Sequence, residues 1–548
     1  MSFKKDIRHI LIISIFIFIL SLPFINKAFH IDDTAYIYVA RQIIKDPLHP
    51  YSFNFDWSSQ SGLATHITNP PLVSYYIALI ILFFGERESI IHLFFVLFPI
   101  IAGISMFYIS KKFTNKPLVS ALLLIGSVSF VAMMHDVMLD IPFLAFFLLS
   151  IVMFVYGVDL NNRYLLALGS IFGGFAYLTK YSGIIIIPIL TAYAMLKKNS
   201  KSLIYLIIPI LLIVFWNLYT FVVYGAPHNS EILSWLLKSQ NSFGAESLLI
   251  RLLTNVVYIG GATIFPLALL YPFLIDNKNK LILAATTVAG AILSVMLFFI
   301  SKNFIFRYTI PQLTLFVFLF STGLFFLFVI ARYYLKIIIC NGQNANNIFL
   351  FLWFIIVLFF ISTLAGGAVR YITILIPPII IIYFNVIDDC KLLNFKKLKN
   401  FIFFALASTS ILSIAVAYAD YEFADVYRNF SEIASQYKTS DNQLWFSGHS
   451  GFQYYMQKKG YKILGLNDNS PKKGDIVIKA QIPSPRKFSP LLKERLMLLD
   501  TKSYIGNLPL RVHNPKARAG FYTYGGGFLP YSISHASLEE FDIYKVVR

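Results

Sequence analysis

Four groups of polar residues stand at the ends of long apolar runs, where an ionisable side chain is costly and marks a functional candidate. The first is the acidic pair Asp32-Asp33, which opens a segment carrying Tyr36, Tyr38 and Arg41 at helical spacing. A helix N-cap uses one carboxylate, so the pair leaves another for chemistry. The second is His66-Ile67-Thr68-Asn69-Pro70-Pro71, which also reads as a plain proline turn into a helix. The third is His135-Asp136 followed by Met138-Leu139-Asp140-Ile141-Pro142; two acids and a histidine exceed what a short connector needs, although Asp140 with its nearby proline also suits a helix start. The fourth is basic: Lys180, Lys302, Arg307 and Arg370. Any one of these could snorkel to lipid headgroups, but four near one membrane face make an anion site. A carboxylate can act as general base toward a hydroxyl or amine, and Lys and Arg can stabilise a departing phosphate. A polyprenyl phosphate is a good leaving group, so one base and a cationic clamp would suffice to move a sugar from a lipid carrier.

The elements that must position these groups follow from composition. Of 548 residues, 57% are apolar by type and 13% charged, against about 25% charged in a soluble domain. With a mean hydropathy of +0.69, this is a multi-span membrane protein. Two cysteines exclude a disulfide scaffold, and the apolar content excludes a disordered chain or a soluble nucleic-acid binder despite a net charge of +19. Runs near the 20 residues needed to cross a bilayer predict 13 spans, at roughly 10–25, 90–109, 117–134, 139–158, 164–179, 182–196, 202–224, 252–275, 281–300, 304–330, 347–365, 371–387 and 400–418. The first is expected to be a retained span, since no convincing small-residue cleavage site follows it. Pro71 to Phe84 is too short to cross and predicts an interfacial or re-entrant helix.

Lys and Arg in short loops mark the cytoplasmic side. The 13-span count puts Lys4, Lys5, Arg8, Lys111, Lys112, Lys116, Arg163, Lys197, Lys198 and Lys201 on that side, followed by Lys278, Lys280, Arg332, Lys336, Lys391, Lys396, Lys397 and Lys399. Cys340 and Cys390 fall there too, so no disulfide is expected. The fold class is then an all-α polytopic membrane protein with about 13 transmembrane helices over 1–418, including an outer-face catalytic loop over 26–89. It is followed by a small α/β extracytoplasmic domain over 419–548, where alternating runs such as Gly474-Asp475-Ile476-Val477-Ile478 read as strands. The expected location is the cytoplasmic (inner) membrane, with a cytoplasmic N-terminus and an extracytoplasmic tail.

At these residues the sequence resembles the C-type (GT-C) membrane glycosyltransferases, and within them the dolichyl-phosphate-mannose protein mannosyltransferase and lipid A aminoarabinose transferase groups. The resemblance is carried by Ile31-Asp32-Asp33-Thr34-Ala35-Tyr36, Asn69-Pro70-Pro71-Leu72, Met138-Leu139-Asp140-Ile141-Pro142, Gly174-Phe175-Ala176-Tyr177-Leu178-Thr179-Lys180 and Arg307-Tyr308-Thr309-Ile310-Pro311, in that order. It implies an inverting enzyme that moves a sugar from a polyprenyl-phosphate donor to a lipid, glycan or protein acceptor at the outer face. It also implies a catalytic base at Asp32 or Asp33 and donor-phosphate contacts at Lys180, Lys302 and Arg307, to which the residue reading adds Arg370. Tyr36, His66, Asn69, His135, Asp136 and Asp140 are substrate-site candidates. No cofactor is firmly implied. A divalent metal stays open, because His66, His135, Asp136 and Asp140 could supply ligands, yet their spacing fits no zinc template. Thr68-Asn69 replaces the acidic and basic pair of the aminoarabinose enzyme, which counts against a metal at that point. The expected partners are the lipid-linked donor, the acceptor and membrane lipids, with no nucleic acid. A transporter or flippase for lipid-linked glycans is the alternative, and it would require ionisable groups at mid-span and broken helices. A ligase joining whole glycans is another. The tail, with Trp445-Phe446-Ser447-Gly448-His449, assigns no role.

Overall fold

The computed structural model describes residues 2–57, 62–67, 69–230, 245–263, 285, 288, 292, 309–339, 344–363, 367–390, 395–465, 468–482, 486–523 and 527–548. Lipid offers no partner to backbone N–H and C=O groups, so the apolar runs close their hydrogen bonds within helices. In chain order these are α1 Ser2–Ser21, α2 Asp33–Lys45, α3 Leu72–Phe84, α4 Glu88–Phe95, α5 Leu97–Phe113, α6 Pro117–Ile125, α7 Val128–Met133, α8 Asp140–Leu160 and α9 Arg163–Thr179. Then come α10 Ile186–Leu196, α11 Ile207–Tyr224, α12 Ala245–Ala262, α13 Ile310–Ile339, α14 Ala345–Thr363, α15 Ile376–Cys390 and α16 Phe395–Ile433.

Among the described residues, eight helical stretches are long and apolar enough to cross a membrane: Lys4–Phe24, Glu88–Phe113, Asp140–Leu160, Ser200–Tyr224, Ile310–Ile339, Ala345–Thr363, Val369–Asp389 and Lys399–Tyr437. Other expected spans take shorter forms. The run at 117–134 is split at Gly126-Ser127 into α6 and α7, and Tyr181–Leu196 is a shorter apolar helix. Apart from residues 285, 288 and 292, the run at 281–300 lies outside the described residues, as does the start of the run at 304–330. Helix α3 has 13 residues and leaves Leu79, Leu82, Phe83 and Phe84 exposed. At about 1.5 Å per residue it reaches about 20 Å, short of the roughly 30 Å hydrocarbon core.

Helix α8 sets the long axis of the bundle and carries an acid at each end. At its C-terminal end Asp159 pairs with Lys112 at 2.6 Å and Lys197 at 4.0 Å. In the N-terminal segment Asp6 pairs with Lys111 at 2.5 Å. Lysines expected on the cytoplasmic side therefore gather at one end, and Asp140 stands at the other. Against α8 packs α9, brought close by small residues in the manner of membrane helices. A Cβ added to Gly169 would lie 2.7 Å from the Phe154 backbone nitrogen, and Ser150 Oγ donates to the Gly169 carbonyl at 2.7 Å.

Helix α16 has 39 residues, about 58 Å at 1.5 Å per residue, so it outruns the bilayer. It passes residue 418 without a break, and its extension carries Asp420, Tyr427 and Phe430 into the tail. The tail is a five-stranded mixed sheet over β1 Leu444–Ser447, β2 Lys462–Ile463, β3 Ile476–Ala480, β4 Leu496–Tyr504 and β9 Glu539–Val546. The strand order is β2-β1-β3-β9-β4. Strands β5 to β8 form two small ribbons at Leu510–Arg511 with Ser532–Ile533 and His513–Asn514 with Ala519–Gly520. β1 runs parallel to β2 and β3, and β9 runs antiparallel to β3 and β4. Phe430 of α16 stacks on Phe541 of β9 with ring centroids 3.7 Å apart, so the tail's core is built on the membrane helix.

Helix α17, Ser450–Lys458, ties the tail to the loop between α3 and α4. Arg41 holds Glu86 through two bonds of 2.7 and 2.6 Å, Tyr454 donates to Glu86 at 2.5 Å, and Tyr455 donates to Glu88 at 3.1 Å.

Replacing Gly169 by Val drives a branched side chain into the Phe154 backbone. Overpacking of this kind costs about 1–3 kcal/mol, so Gly169→Val is expected to lower the detergent-solubilised melting temperature by several degrees; an unchanged melt would mean α8 and α9 are not in close contact.

Candidate active site

The site begins with a backbone anomaly. Ile31 has φ +48°, a left-handed conformation that costs roughly 1–2 kcal/mol for a residue with a Cβ and is rarest for branched side chains. The turn it makes separates the two acids that follow. Asp33 becomes fully buried, whereas the Asp32 side chain keeps 30% of its exposure and meets Arg370.

Arg370 lies in the turn Val369–Leu375 that leads into α15. Its Nη1 donates to Asp32 Oδ2 at 3.1 Å and stands 3.6 Å from Asp140 Oδ2. Lys180, one residue past α9, donates to Asp140 Oδ1 at 2.7 Å. The Tyr371 ring lies 4.4 Å from the Lys180 ammonium and 5.4 Å from the Arg370 guanidinium, a cation-π arrangement that holds both cations. Two carboxylates thus face two cations, with the Arg370 Nε left without a hydrogen-bond partner. Tyr36 is buried beside this group, and its hydroxyl accepts from Asn69 Nδ2 at 3.4 Å.

Arg370 is shared by two cavities. On one side Asp140, Lys180, Ser182 and Tyr371 form a polar recess against Phe143, Phe360, Ile361 and Ile374. On the other side a larger cavity of about 180 Å³ is bounded by Asp32 and by residues of the tail.

Asp33 belongs to a second, fully buried cluster. Lys27 bonds to Asp136 and, at 2.5 Å, to Asp420. His30 Nε2 lies 3.2 Å from Asp420 Oδ1, while its Nδ1 lies 3.6 Å from Asp33 Oδ2 and 3.8 Å from Asp136 Oδ1. Tyr522 of the tail reaches in, with its hydroxyl 2.5 Å from Asp420 and 3.0 Å from Asp136. Burial disfavours every charge here, but opposite charges override it for the bases. Lys27 is held above the usual lysine range by Asp136 and Asp420. Burial lowers the His30 imidazole, yet the Asp420 carboxylate outweighs that and raises it to about 9. Burial pushes the Asp136 carboxyl up to about 7 against the pull of Lys27.

Among the described residues, His30, Asp33 and Asp136 are the acid and imidazole groups close enough to share a metal, with ligand atoms within 4.8 Å of one another. The Lys27 ammonium already supplies a cation at Asp136. The four residues expected as metal ligands do not meet. His66 Nδ1 donates to the Leu63 carbonyl at 2.8 Å and its ring stacks on Phe55. His135 Nε2 donates to the Leu20 carbonyl at 2.9 Å, against Phe24. Asp136 is bound to Lys27, and Asp140 to Lys180. Of the expected site residues, Asp32, Lys180, Arg370 and Asp140 come together, with Tyr36 and Asn69 beside them. Asp33 and Asp136 sit in the buried cluster, His66 and His135 bind carbonyls elsewhere, and Lys302 and Arg307 lie outside the described residues. Sequence reading missed Lys27, His30, Tyr371, Asp420 and Tyr522. Lys27 and His30 directly follow an apolar run, and Asp420 breaks one, but nothing in their spacing says that they meet.

Residues 68–220 match the family model described as dolichyl-phosphate-mannose-protein mannosyltransferase. That stretch includes Asn69, Asp136, Asp140 and Lys180, and excludes Asp32 and Arg370. No curated protein matches the chain significantly by sequence. Among solved structures, the S. cerevisiae protein O-mannosyltransferase Pmt1-Pmt2 complex bound to its sugar donor is 15% identical over 40% of this chain and 34% of that chain, with a TM-score of 0.32. This chain thus spans about a third of that protein's length. ArnT from Cupriavidus metallidurans bound to undecaprenyl phosphate is 13% identical over 91% of this chain and 96% of that one, with a TM-score of 0.45. Its apo form is 12% identical over 100% and 98%, with a TM-score of 0.41.

The buried cluster carries a pH dependence whose sign follows from His30. Its pKa is raised from 6.5 to about 9 in the fold, so its stabilisation is complete below about pH 6.5 and is lost as pH rises through about 9. The melting temperature is expected to fall between pH 6.5 and 9.5, and His30→Gln to flatten that slope; a wild-type slope that survives the substitution would assign it to another group.

Proposed function

We propose that the chain is a membrane glycosyltransferase of the GT-C type that transfers a sugar from a polyprenyl-phosphate donor at the outer face of the cytoplasmic membrane, using Asp32 as base and Lys180 with Arg370 as the phosphate clamp; the match of residues 68–220 to the mannosyltransferase family model supports the class. The observation that carries this reading is the convergence of Asp32, Asp140, Lys180 and Arg370 at one end of the bundle. These residues come from four separate elements, and Arg370 and Asp32 are 338 positions apart.

The lipid phosphate enters the recess between Lys180 and Arg370, and the prenyl chain follows Phe143, Phe360, Ile361 and Ile374 toward the lipid. Asp140 holds Lys180 in place, at the N-terminus of α8 where a carboxylate is favoured. The phosphate competes with Asp32 for Arg370 and so releases that carboxylate to accept a proton. An acceptor hydroxyl or amine gives its proton to Asp32 and attacks the anomeric carbon from the face opposite the phosphate. The bond from that carbon to the phosphate oxygen breaks, and the charge left on the phosphate is met by Lys180 and Arg370. Single displacement inverts the anomeric centre. In this reading Asp33, buried against His30, anchors the start of α2 and Asp32 is the base. The outer-face placement is supported by Lys111, Lys112 and Lys197, which lie at the far end of the bundle from the site. The acceptor class is a lipid, glycan or protein nucleophile.

In purified full-length protein given undecaprenyl-phosphate sugars, Asp32→Asn is expected to lose about 10²–10⁴-fold in turnover, the usual contribution of a general base. Lys180→Ala raises the donor KM, and Asp33→Asn lowers the yield of folded protein rather than the chemistry of what folds. Full activity of both aspartate variants at normal protein level would overturn this mechanism.

A further inference from the structure

The soluble tail shares a wall with Asp32, and the chemistry of that wall says what it faces. The cavity of about 180 Å³ has Asp32 and Arg370 on the membrane side and His449, Ser450, Phe452 and His513 on the tail side. Its volume is many times the space one water needs. Because Arg370 also lines the recess of Lys180, a phosphate clamped there places whatever it carries within reach of this cavity. In a glycosyl phosphate the ring is a single oxygen away from phosphorus. The ring of a donor held on Lys180 and Arg370 therefore falls on the Asp32 side, against the tail.

The polar groups on the tail wall are neutral. Arg486 Nε donates to His449 Nδ1 at 3.1 Å, which leaves the His449 Nε2 as an N–H donor. His513 is 7% exposed, and its Nδ1 has no hydrogen-bond partner. Burial lowers both imidazoles to about 4, helped at His449 by Arg486, so both are uncharged at neutral pH. Among the described residues the one tail carboxyl at the cavity, Glu539, is occupied: Tyr427 donates to it at 2.9 Å, as do the backbone N–H groups of Gln481, Ile482 and Glu540 at 3.2, 2.5 and 3.0 Å. With the donor phosphate on Arg370, Asp32 is released toward the acceptor as its base, so the groups left to meet the sugar are those of the tail. Among the described residues that line the cavity, the tail side presents no unpaired charge to a sugar, whereas two imidazoles and the apolar Phe452 face suit hydroxyls and ring C–H groups. Strain marks the same place: Ile31 at φ +48° and Ser450 at φ +57° both line the cavity, and such conformations gather where the surrounding structure positions groups for function.

We propose that the tail completes the sugar site, with the cavity between Asp32 and the tail holding the transferred sugar as an uncharged, hydroxyl-bearing ring that His449 and His513 bind and select. This rests on the donor reading above and goes beyond it by assigning sugar choice to the soluble tail.

The test uses purified full-length protein and sugar release to water, which needs no known acceptor. The probes are an undecaprenyl-phosphate neutral hexose, an undecaprenyl-phosphate amino sugar and undecaprenyl phosphate alone. Wild-type protein is expected to favour the neutral hexose. His513→Ala and His449→Ala are expected to raise KM for the hexose donor about tenfold and to narrow the preference, with inhibition by undecaprenyl phosphate unchanged. His513→Gln, which keeps a hydrogen-bonding side chain, restores part of the loss. Unchanged KM and preference in the alanine variants would overturn the assignment, and so would a parallel loss of undecaprenyl phosphate binding, which signals a structural role. If His513→Ala does not fold, His449→Gln and His449→Ala decide by the same criteria. Failure of the wild type to release sugar from any donor would sink the donor reading itself, whereas wild-type turnover with indifferent histidine variants would sink only the role of the tail.

Discussion

A buried ammonium holds this molecule together. Lys27 leaves the first membrane helix and is enclosed between Asp136, at the turn before α8, and Asp420, on the extension of α16. Burying three charges is costly, and the geometry offsets that cost only because His30 and Tyr522 add further bonds to the same carboxylates. Removing one partner from such a group leaves an uncompensated charge in a dry interior, a loss of about 3–5 kcal/mol. Four parts of the chain therefore have one permitted arrangement relative to one another: the exit of α1, the α7–α8 turn, α16 and the tail.

The candidate site inherits its shape from that arrangement. His30 is three residues before Asp33, and the His30 N–H donates to Asp33 Oδ2 at 3.2 Å, so the start of α2 is anchored to the cluster. Ile31 then takes a strained turn that frees Asp32 toward Arg370. Similarly Asp136 anchors the turn that ends in Asp140. The two acids that meet Arg370 are each presented by a segment whose neighbouring acid is locked in the buried cluster.

The tail is part of the same construction. Tyr522 reaches the buried cluster, α17 docks on Glu86 and Glu88, and Phe541 stacks on Phe430 of α16. A strand-containing tail fastened at three places to the helical core forms a fixed wall beside the candidate site, which a tethered module could not. The domain edge expected at residue 418 falls within a continuous helix, because the apolar stretch ends there while the helical pattern does not.

Composition by itself determined that this is a helical membrane protein, since so few charges cannot cover a water-facing surface. The polar clusters at run ends pointed to the candidate site: Asp32, Asp140 and Lys180 were legible from their position beside apolar runs, and the family match over 68–220 includes Asp140 and Lys180. Periodicity and spacing are local, however, and the pairings that matter span 338 residues for Asp32 with Arg370 and 393 for Lys27 with Asp420. Only the tertiary structure decided that Asp32 faces a cavity while Asp33 is buried, that His66 and His135 bind carbonyls, and that the tail walls the site. Those outcomes depend on desolvation and on the pairing of distant charges, energies that exist only once the helices have packed.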